Sequence, residues 1–377
     1  MDVELLRTQM SVVNEWIYLD HAAVAPLPNP VADSMQRWIE EARYHGAAHW
    51  NTWRRQIEKL RVLMAGLLNA KPNEIALIRN TTEGVSIIAN GWKWKPGDSV
   101  VVPSCEFPSN LYPWLQLRDQ GVNVRIVEVQ HESSAALVTS AIASACDSST
   151  RIIALSWVDY VSGIRRDLND LTLVAERCGA RLFVDAIQGL GVIPLDVQQT
   201  PVDFLAADGH KWMLGPEGAG VLYVKESLLD QLNVSGSGWN SVNHAGDFSN
   251  PDLALRNSAA RYEAGTYPAV TMTGLLSAME LITAIGIHCI WKQLQIVRDE
   301  FCLAAKHAGL NPLEVLPDEQ SGIIACKVSQ GARELSRSLR NHGIITNIRG
   351  GLLRISPHVY NTPEEAAEFL KCAKTTK

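Results

Sequence analysis

The sequence lacks the features that mark nucleic-acid-binding, secreted and membrane proteins. It has no basic run and no Lys/Arg stripe with interleaved aromatic residues, and its formal net charge is −6, so nucleic acid is not expected as a partner. No apolar stretch approaches the roughly eighteen residues of a membrane span, and the first residues are acidic where a signal peptide is basic. We therefore expect a cytoplasmic protein with small-molecule ligands and no membrane partner.

Cysteine is sparse and scattered. The seven cysteines are an odd number and include no C-x-x-C pair, which argues against a disulfide framework and against a zinc knuckle, so no metal site is predicted. The sequence also lacks the G-x-G-x-x-G and G-x-x-x-x-G-K-[ST] fingerprints, which disfavours a nucleotide-binding protein of the doubly wound class.

Between residues 75 and 225, short β-branched runs alternate with helical patterns. This alternation predicts an α/β domain with a doubly wound, mainly parallel sheet. The predicted strands are residues 74–79, 99–103, 123–129, 151–156, 181–185, 204–207 and 220–225. The predicted helices are residues 82–90, 110–120 and 168–178, with a turn at 188–191.

From Tyr267 onward the pattern changes to two long helices, 270–284 and 289–305, followed by strands at 322–328 and 352–356 around a helix at 332–341. Gly343 follows that last helix, as expected at a helix C-terminus. The prediction is a large domain over residues 18–266 and a smaller α+β domain formed by residues 1–17 and 267–377.

Two apolar strand patterns end in polar residues that indicate a ligand site. In an open parallel sheet, ligands bind beyond the carboxyl ends of the strands, so Asp185, Gln188, His210 and Lys211 are expected to converge. A desolvated lysine there can form an imine with a cofactor aldehyde, and a buried Asp185 would keep a pyridine nitrogen protonated. Gln188 is expected to donate to the ring phenolate. The alternative is that Asp185 only caps a helix and Lys211 is a solvated loop lysine.

A second motif, Asn-Thr-Thr-Glu-Gly at residues 80–84, joins a predicted strand to a helix. Unpaired N–H groups at the helix N-terminus and the hydroxyls of Thr81 and Thr82 suit a phosphate. An ordinary capping box that uses Asn80 or Thr81 with Glu83 explains the same residues, and both interpretations remain open.

Taken together, these motifs resemble the class V aminotransferase family of pyridoxal-5′-phosphate (PLP) enzymes of fold type I, which includes cysteine desulfurases, kynureninases and isopenicillin-N-epimerase-like proteins. The resemblance runs from residues 18–23, Tyr-Leu-Asp-His-Ala-Ala, to Arg354 and includes residues 261–266, Arg-Tyr-Glu-Ala-Gly-Thr. It implies the fold type I architecture, PLP as cofactor, and a homodimer with shared active sites.

The resemblance also implies a role for each matching residue. The implied roles are the imine lysine for Lys211, the pyridine-nitrogen partner for Asp185, the phenolate donor for Gln188, phosphate ligands for Thr82 and His210, a contact with the phosphate of the neighbouring subunit for Thr266, and the substrate-carboxylate ligand for Arg354. A guanidinium fork suits a carboxylate, although a strand-end surface arginine is the alternative for Arg354.

Three positions depart from the desulfurase pattern. Phe107 stands where desulfurases have a histidine near the ring face and resembles kynureninases, although it also fits a core residue. Tyr160 stands where desulfurases have an asparagine. Asp208 replaces a phosphate-binding serine, and because its carboxylate would repel a phosphate, we expect it to turn away or to pair with a basic group.

A desulfurase needs a mobile thiol shortly before the substrate arginine, and residues 336–350 contain no cysteine. Cys326 lies in an apolar run and is expected to be buried. Desulfuration through an enzyme persulfide is therefore disfavoured. His21 either faces the substrate or marks a tight approach of the amino-terminal segment to the site.

The sequence thus predicts a PLP enzyme that breaks a bond at Cα of an amino acid, with Lys211 as general base and acid and with Asp185 and His210 beside it. The nominal reaction is transamination. The alternatives are a lyase acting on a C–S or C–Se bond or on a kynurenine-like substrate, an epimerase, and a PLP-binding protein without catalytic activity.

Overall fold

The computed structural model describes residues 3–328 and 331–375, and its elements follow the predicted alternation of strands and helices in the first two thirds of the chain. The strands are β1 (Ile17–Tyr18), β2 (Ile75–Ile78), β3 (Ser99–Pro103), β4 (Asn123–Val127), β5 (Thr150–Ser156), β6 (Arg181–Asp185), β7 (Phe204–Asp208), β8 (Gly220–Val224), β9 (Asn311–Pro312), β10 (Ile324–Lys327), β11 (Ile344–Ile345), β12 (Asn347–Arg349) and β13 (Leu352–Ile355). The helices are α1 (Val3–Thr8), α2 (Asn29–His45), α3 (Trp50–Leu68), α4 (Thr81–Gly91), α5 (Tyr112–Leu115), α6 (Ala135–Ala145), α7 (Leu168–Cys178), α8 (Ala269–Ile285), α9 (Ile287–His307), α10 (Ala332–Asn341) and α11 (Pro363–Thr375).

A seven-stranded sheet forms the centre of the molecule, in the order β2-β8-β7-β6-β5-β3-β4. Only β8 runs against its neighbours, β2 and β7, and the other pairings are parallel. β2, β3, β7 and β8 are buried along their whole length, as expected for strands covered on both faces. The predicted doubly wound, mainly parallel α/β fold is confirmed, and each predicted strand of this sheet agrees with the observed one to within one or two residues at each end.

The helices agree less uniformly with the predictions. The helix predicted at residues 168–178 is α7, and Asp167 caps it by accepting hydrogen bonds from two backbone N–H groups. The continuous helix predicted at residues 110–120 is wrong. This stretch forms the short α5 between two 3₁₀ turns. Pro113 has no N–H and is tolerated only in the first turn of a helix, so α5 begins at Tyr112.

The carboxyl-terminal region forms a second, antiparallel sheet with the order β12-β13-β10-β9, and β1 pairs in parallel with β11. Its core contains Phe301, Leu339, Leu353 and Phe369, and Leu19 of the amino-terminal segment packs into the same core. α8 packs against α2 and α3. The domain boundary at residues 266 and 267 stays a prediction.

Among the described residues, no single helix is long and apolar enough to cross a membrane. α8 and α9 reach that length and composition only as a pair, and the chain bends by 83° between them.

Candidate active site

Asp185 is the last residue of β6 and is buried at the carboxyl edge of the central sheet. One carboxylate oxygen accepts a hydrogen bond from the backbone N–H of Ile187 at 3.0 Å, but residues 187–192 form a turn and not a helix, so the alternative that Asp185 only caps a helix is wrong. Burial raises the pKa of Asp185 to about 6, while this hydrogen bond and the charge of Lys211 oppose that shift. A buried carboxylate that faces a cation at this edge can hold a protonated ring nitrogen.

Lys211 lies three residues beyond the end of the neighbouring strand β7. Burial lowers the pKa of its amine to about 8, against the attraction of Asp185. An amine with this pKa is partly neutral near neutral pH, which is the state that attacks a carbonyl carbon or accepts a proton.

The backbone around Lys211 is tightly constrained. A side chain at Gly209 would place its Cβ 2.7 Å from Leu275 and 2.8 Å from the carbonyl oxygen of Ala219, so only glycine fits there. Leu214 has a φ of 57°, in the left-handed region that residues with a side chain rarely adopt. Strained backbone of this kind persists where the surrounding structure fixes it, and it is common at functional sites.

Gln188 lies three residues beyond the end of β6 and is buried. Its amide nitrogen donates to the carbonyl oxygen of Ala22 at 3.0 Å, and its amide oxygen accepts from the indole N–H of Trp212 at 2.9 Å. These two contacts fix which way the amide points and leave one N–H of the NH₂ group for another acceptor. The predicted donation to a phenolate is compatible with this orientation.

The Asn-Thr-Thr-Glu-Gly motif begins α4. Asn80 caps this helix, with its side chain accepting from the N–H of Glu83 at 2.9 Å, so the ordinary capping role is present. The buried Thr81 hydroxyl accepts from the backbone N–H of Asp208 at 3.0 Å and thereby joins α4 to the end of β7. The exposed Thr82 hydroxyl donates to the hydroxyl of Ser109 at 2.8 Å. The motif and the Lys211 turn therefore share one corner of the site.

Asp208 pairs with a basic group, which is one of the two outcomes expected from the sequence. Its Oδ2 lies 3.1 Å from Nδ1 of His210. Within the described residues, Asp208 Oδ1 and His210 Nδ1 have no well-aligned hydrogen-bond partner, although both atoms are buried. Buried polar atoms of this kind are expected to have partners, and a phosphate group beside His210 would supply an acceptor for the ring nitrogen but not a donor for the Asp208 oxygen.

Arg354 on β13 is almost completely buried. Its Nη1 donates to the carbonyl oxygen of Tyr160 at 2.8 Å, and its Nη2 donates to Oδ1 of Asp20 at 3.1 Å. Burial lowers the pKa of Arg354, and Asp20 opposes that shift. Among the described residues its Nε has no partner. This arginine is thus a fixed cation inside the protein and not the surface arginine of the alternative interpretation.

Phe107 and Tyr160 pack against each other, with ring centroids 5.2 Å apart in an edge-to-face arrangement. Phe107 is 46% exposed, so it is not a core residue. Tyr160 also contacts the ring of His131 at a centroid distance of 5.3 Å. Because the carbonyl oxygen of Tyr160 holds Arg354, these rings border the proposed carboxylate site.

His21 is fully buried, and its Nε2 lies 2.6 Å from the hydroxyl of Tyr360. Burial and the nearby His358 hold the pKa of His21 well below its usual value, so the ring is neutral. The structure supports the tight approach of the amino-terminal segment to the Lys211 turn, since the backbone N–H of Ala25 donates to the carbonyl oxygen of His210 at 2.7 Å. A substrate contact by His21 stays a prediction.

Thr266 is exposed and lines a cavity of about 330 Å³ together with Glu83 and Ile87 of α4. The preceding loop is held by Glu263, whose buried carboxylate binds the guanidinium of Arg61 through two oxygens and accepts from the backbone N–H of Leu77. The hydroxyl of Tyr267 also donates to Glu263.

Glu106 is a site residue that the sequence motifs did not identify. It is buried, and its carboxylate accepts from the backbone N–H of Ser156 at 2.8 Å, from the Ser156 hydroxyl and from the amide of Asn110. Ser156 is the partner of Asp185 across β5 and β6. Burial raises the pKa of Glu106 to about 7, and the charge of Asp185 adds to that shift. A second carboxylate therefore lies near the one expected at the ring nitrogen.

Two buried thiols, those of Cys326 and Cys105, are not free nucleophiles. Cys326 is buried on β10, as predicted, and burial raises its pKa to about 12. Cys105 is also buried, and burial with the charges of Asp159 and Glu106 raises its pKa to about 12. Both thiols are therefore protonated near neutral pH.

Comparison with known proteins identifies the family. A family model described as aminotransferase class-V matches residues 17–369. The chain belongs to this family. It is 31% identical to a probable cysteine desulfurase of Methanothermobacter thermautotrophicus, over 97% of this chain and 96% of the relative.

Solved structures agree with this family assignment. The apo structure of a cysteine desulfurase from Thermococcus onnurineus NA1 matches with a TM-score of 0.87 at 26% identity, covering 99% of this chain and 97% of that one. The cystine C–S lyase C-DES, in complex with its reaction product cysteine persulfide, matches with a TM-score of 0.89 at 23% identity, covering 97% and 99%, and shows the common fold.

These findings confirm the fold type I architecture, PLP as the cofactor, and the enzymatic nature of the protein. The structure fits this cofactor, because it brings together a buried carboxylate, a desolvated lysine, an oriented amide donor and, among the described residues, a buried histidine nitrogen without a well-aligned hydrogen bond. The names of the relatives favour the lyase alternative over the nominal transamination. The roles of the individual site residues remain predictions.

Proposed function

We propose that this enzyme is a C–S lyase that uses PLP to cleave the bond between Cβ and sulfur in a cysteine-derived amino acid. Two observations carry the proposal. This protein is similar to cysteine desulfurases and has both Lys211 and Asp185. Its own sequence, however, has no cysteine between Cys326 and Cys372, the region where a desulfurase needs its mobile thiol. The sulfur would then leave with its own substituent and would not be taken up by an enzyme thiol.

Substrate orientation is assigned to Arg354. Its anchors to Tyr160 and Asp20 leave N–H groups free to bind a carboxylate, and burial strengthens that interaction because water cannot screen it. An amino acid held there by its carboxylate would present Cα toward the Lys211 side of the site. The rings of Phe107 and Tyr160 would border the side chain of the substrate.

Proton transfer is assigned to Lys211. Its amine, with a pKa of about 8, accepts the proton from Cα and can return a proton later in the cycle. The cofactor, when bound, supplies the electron sink for the bond that breaks at Cα. Asp185 would hold the ring nitrogen protonated, Gln188 would donate to the phenolate, and His210 with Thr81 and Thr82 would bind the phosphate.

Leaving-group chemistry favours a disulfide substrate. When the Cβ–S bond of cystine breaks, the electron pair stays on sulfur, and the leaving group is a persulfide anion that needs no thiol acceptor. The carbon fragment takes up water and releases ammonia. The balanced reaction is cystine plus water giving cysteine persulfide, pyruvate and ammonia. An enzyme without a mobile thiol can complete this reaction, whereas conversion of cysteine to alanine requires an acceptor for the sulfur atom.

The same proposal includes a homodimer with shared active sites, and the position of Thr266 supports it. Its side chain is exposed, and the loop that carries it is fixed by the buried Glu263 and Arg61 pair, so the hydroxyl is presented on a rigid surface. In the dimer this surface would lie against the partner subunit, and the hydroxyl would reach the partner's cofactor phosphate.

Product analysis tests the reaction. The cofactor-saturated enzyme is incubated separately with cystine, cysteine and alanine, and pyruvate, ammonia, persulfide, sulfide and alanine are measured. We expect pyruvate and persulfide in equal amounts from cystine, with activity lost in Lys211→Ala and kept in Lys225→Ala, a lysine that follows β8. Alanine formed from cysteine with a protein-bound persulfide would overturn the proposal, as would a keto acid formed together with pyridoxamine phosphate.

A further inference from the structure

Three potential metal ligands that the reaction does not use lie together beside Tyr160. They are Cys105 after β3, His131 after β4, and Asp159 after β5. β3 lies between β4 and β5 in the sheet, so the three residues follow adjacent parallel strands and meet at its carboxyl edge. The thiol sulfur, a ring nitrogen and a carboxylate oxygen all lie within 4.8 Å of one another, and this is the one such group found among the described residues.

The carboxylate of Asp159 is already oriented for a ligand. One oxygen accepts from the backbone N–H groups of Val161 and Ser162 at 2.9 and 2.8 Å and from the Ser162 hydroxyl at 3.0 Å. The other oxygen faces His131, whose Nδ1 lies 2.8 Å away. Outer hydrogen bonds that fix the direction of a carboxylate are the usual support of a protein metal site.

Burial and charge also fit a cation. The Asp159 side chain is 1% exposed and Cys105 is buried, while the His131 side chain is 29% exposed, so the group opens to solvent on one side only. Arg166 approaches the same oxygen of Asp159, but its Nη2 is 3.8 Å away, beyond hydrogen-bond distance, and its Nη1 donates to the carbonyl oxygen of Ser133. Thiolate and carboxylate together would carry two negative charges, of which the buried Arg166 offsets one, so the group retains a net negative charge for a divalent ion.

We propose that Cys105, His131 and Asp159 bind a divalent zinc-like metal ion, with a fourth coordination position open toward solvent. Sulfur, imidazole nitrogen and carboxylate oxygen are the donors that Zn²⁺ takes in proteins. In a tetrahedral site the ligand atoms are about 3.5 Å apart, so the side chains need to move by roughly an ångström. Binding replaces the thiol proton and the hydrogen bond between His131 and Asp159.

The position of the group gives the metal a role next to the substrate. Asp159 precedes Tyr160, whose carbonyl oxygen holds Arg354 and whose ring contacts His131. A metal at this point joins the ends of β3, β4 and β5 and fixes the turn that carries the Arg354 anchor. The proposal does not depend on which bond the enzyme cleaves.

Metal titration of the holoenzyme tests the site. Enzyme stripped of metal by dialysis against a chelator and then saturated with PLP is titrated with Zn²⁺ in competition with a chromophoric chelator. We expect one Zn²⁺ per chain and an affinity that falls about tenfold or more in Cys105→Ser, as for the loss of a metal-site group. Cys289→Ser, an exposed cysteine on α9, is the matched control and should bind like wild type.

A spectroscopic measurement identifies the ligand. With Co²⁺ in place of Zn²⁺, wild type and Cys289→Ser should show a thiolate-to-metal charge-transfer band that Cys105→Ser lacks. If Cys105→Ser does not fold, His131→Ala serves in its place, with the weakened Zn²⁺ binding as the readout. The proposal would be overturned if wild type does not bind Zn²⁺, or if wild type and the ligand variants bind Zn²⁺ with equal affinity. Neither result bears on the products formed from cystine.

Discussion

Arg354→Lys is the substitution whose effect can be worked out most directly from the structure. A guanidinium has five N–H donors, and Arg354 uses two of them on Tyr160 and Asp20, which leaves three for a substrate carboxylate. A lysine that keeps both anchors has one N–H left, so the paired contact with the carboxylate is lost. One charge-assisted hydrogen bond contributes about 1.5–3 kcal/mol, which corresponds to about a ten- to hundredfold weaker hold on the substrate.

Steady-state kinetics with the substrate found by product analysis measure this loss. Because the carboxylate contact is the same before and during bond breaking, KM should rise by that factor while kcat changes much less. Arg349→Lys, on the neighbouring strand β12, is the control, since its Nη1 hydrogen bonds go to Asn347 and to the carbonyl oxygen of Ile348. An unchanged KM in Arg354→Lys, with the PLP absorption and the melting temperature retained, would refute the assignment.

Three further substitutions test the surroundings of the site. Folding raises the pKa of Glu106 from 4.5 to about 7, so the stability that this group contributes is present below pH 4.5 and is lost as the pH rises to 7. Between these two pH values, the free energy of unfolding of apo wild type should fall by up to about 3 kcal/mol relative to that of Glu106→Gln, as measured by denaturant titration. Trp212→Phe leaves the buried oxygen of Gln188 without its donor and should cost about 1–3 kcal/mol of unfolding free energy and shift the cofactor absorption; no change in either would contradict the contact. Glu263→Gln removes the buried charge partner of Arg61, whose remaining ion-pair partner is the exposed Glu58, and should cost up to about 3–5 kcal/mol, measured by thermal unfolding, whereas a loss below about 1 kcal/mol would show that the pair is not buried in solution.

The sequence was sufficient to predict the residues at the strand ends. Asp185 and Lys211 follow two apolar runs, and because parallel strands deliver their carboxyl ends to one edge, the proximity of these residues follows from the pattern. The pairing of Asp208 with a basic group was one of two expected outcomes, since an isolated carboxylate beside a phosphate is unfavourable. Local pattern and charge were enough for these predictions.

Contacts between distant segments could not be predicted. The hydrogen bond between His21 and Tyr360 joins residues 339 positions apart, and no periodic pattern relates them. The burial of Glu106 depends on Ser156, which β5 brings to it across the sheet edge. The break in the helix predicted at residues 110–120 was visible in principle, because Pro113 marks where a helix can begin.

The Cys105, His131 and Asp159 group shows the same limit. Each residue follows a different strand, and the spacings in the sequence match no metal-binding motif. Only the order of β4, β3 and β5 in the sheet brings the three side chains together.

The central claim is that the amine of Lys211 carries the cofactor. Holoenzyme is reduced with borohydride, digested and analysed by mass spectrometry for the pyridoxyl group on each lysine peptide. We predict that the modification is found on Lys211 and that Lys211→Ala loses both the modification and the bound cofactor absorption. Modification of another lysine in wild type, with Lys211 recovered as the free amine from fully loaded enzyme, would contradict the account.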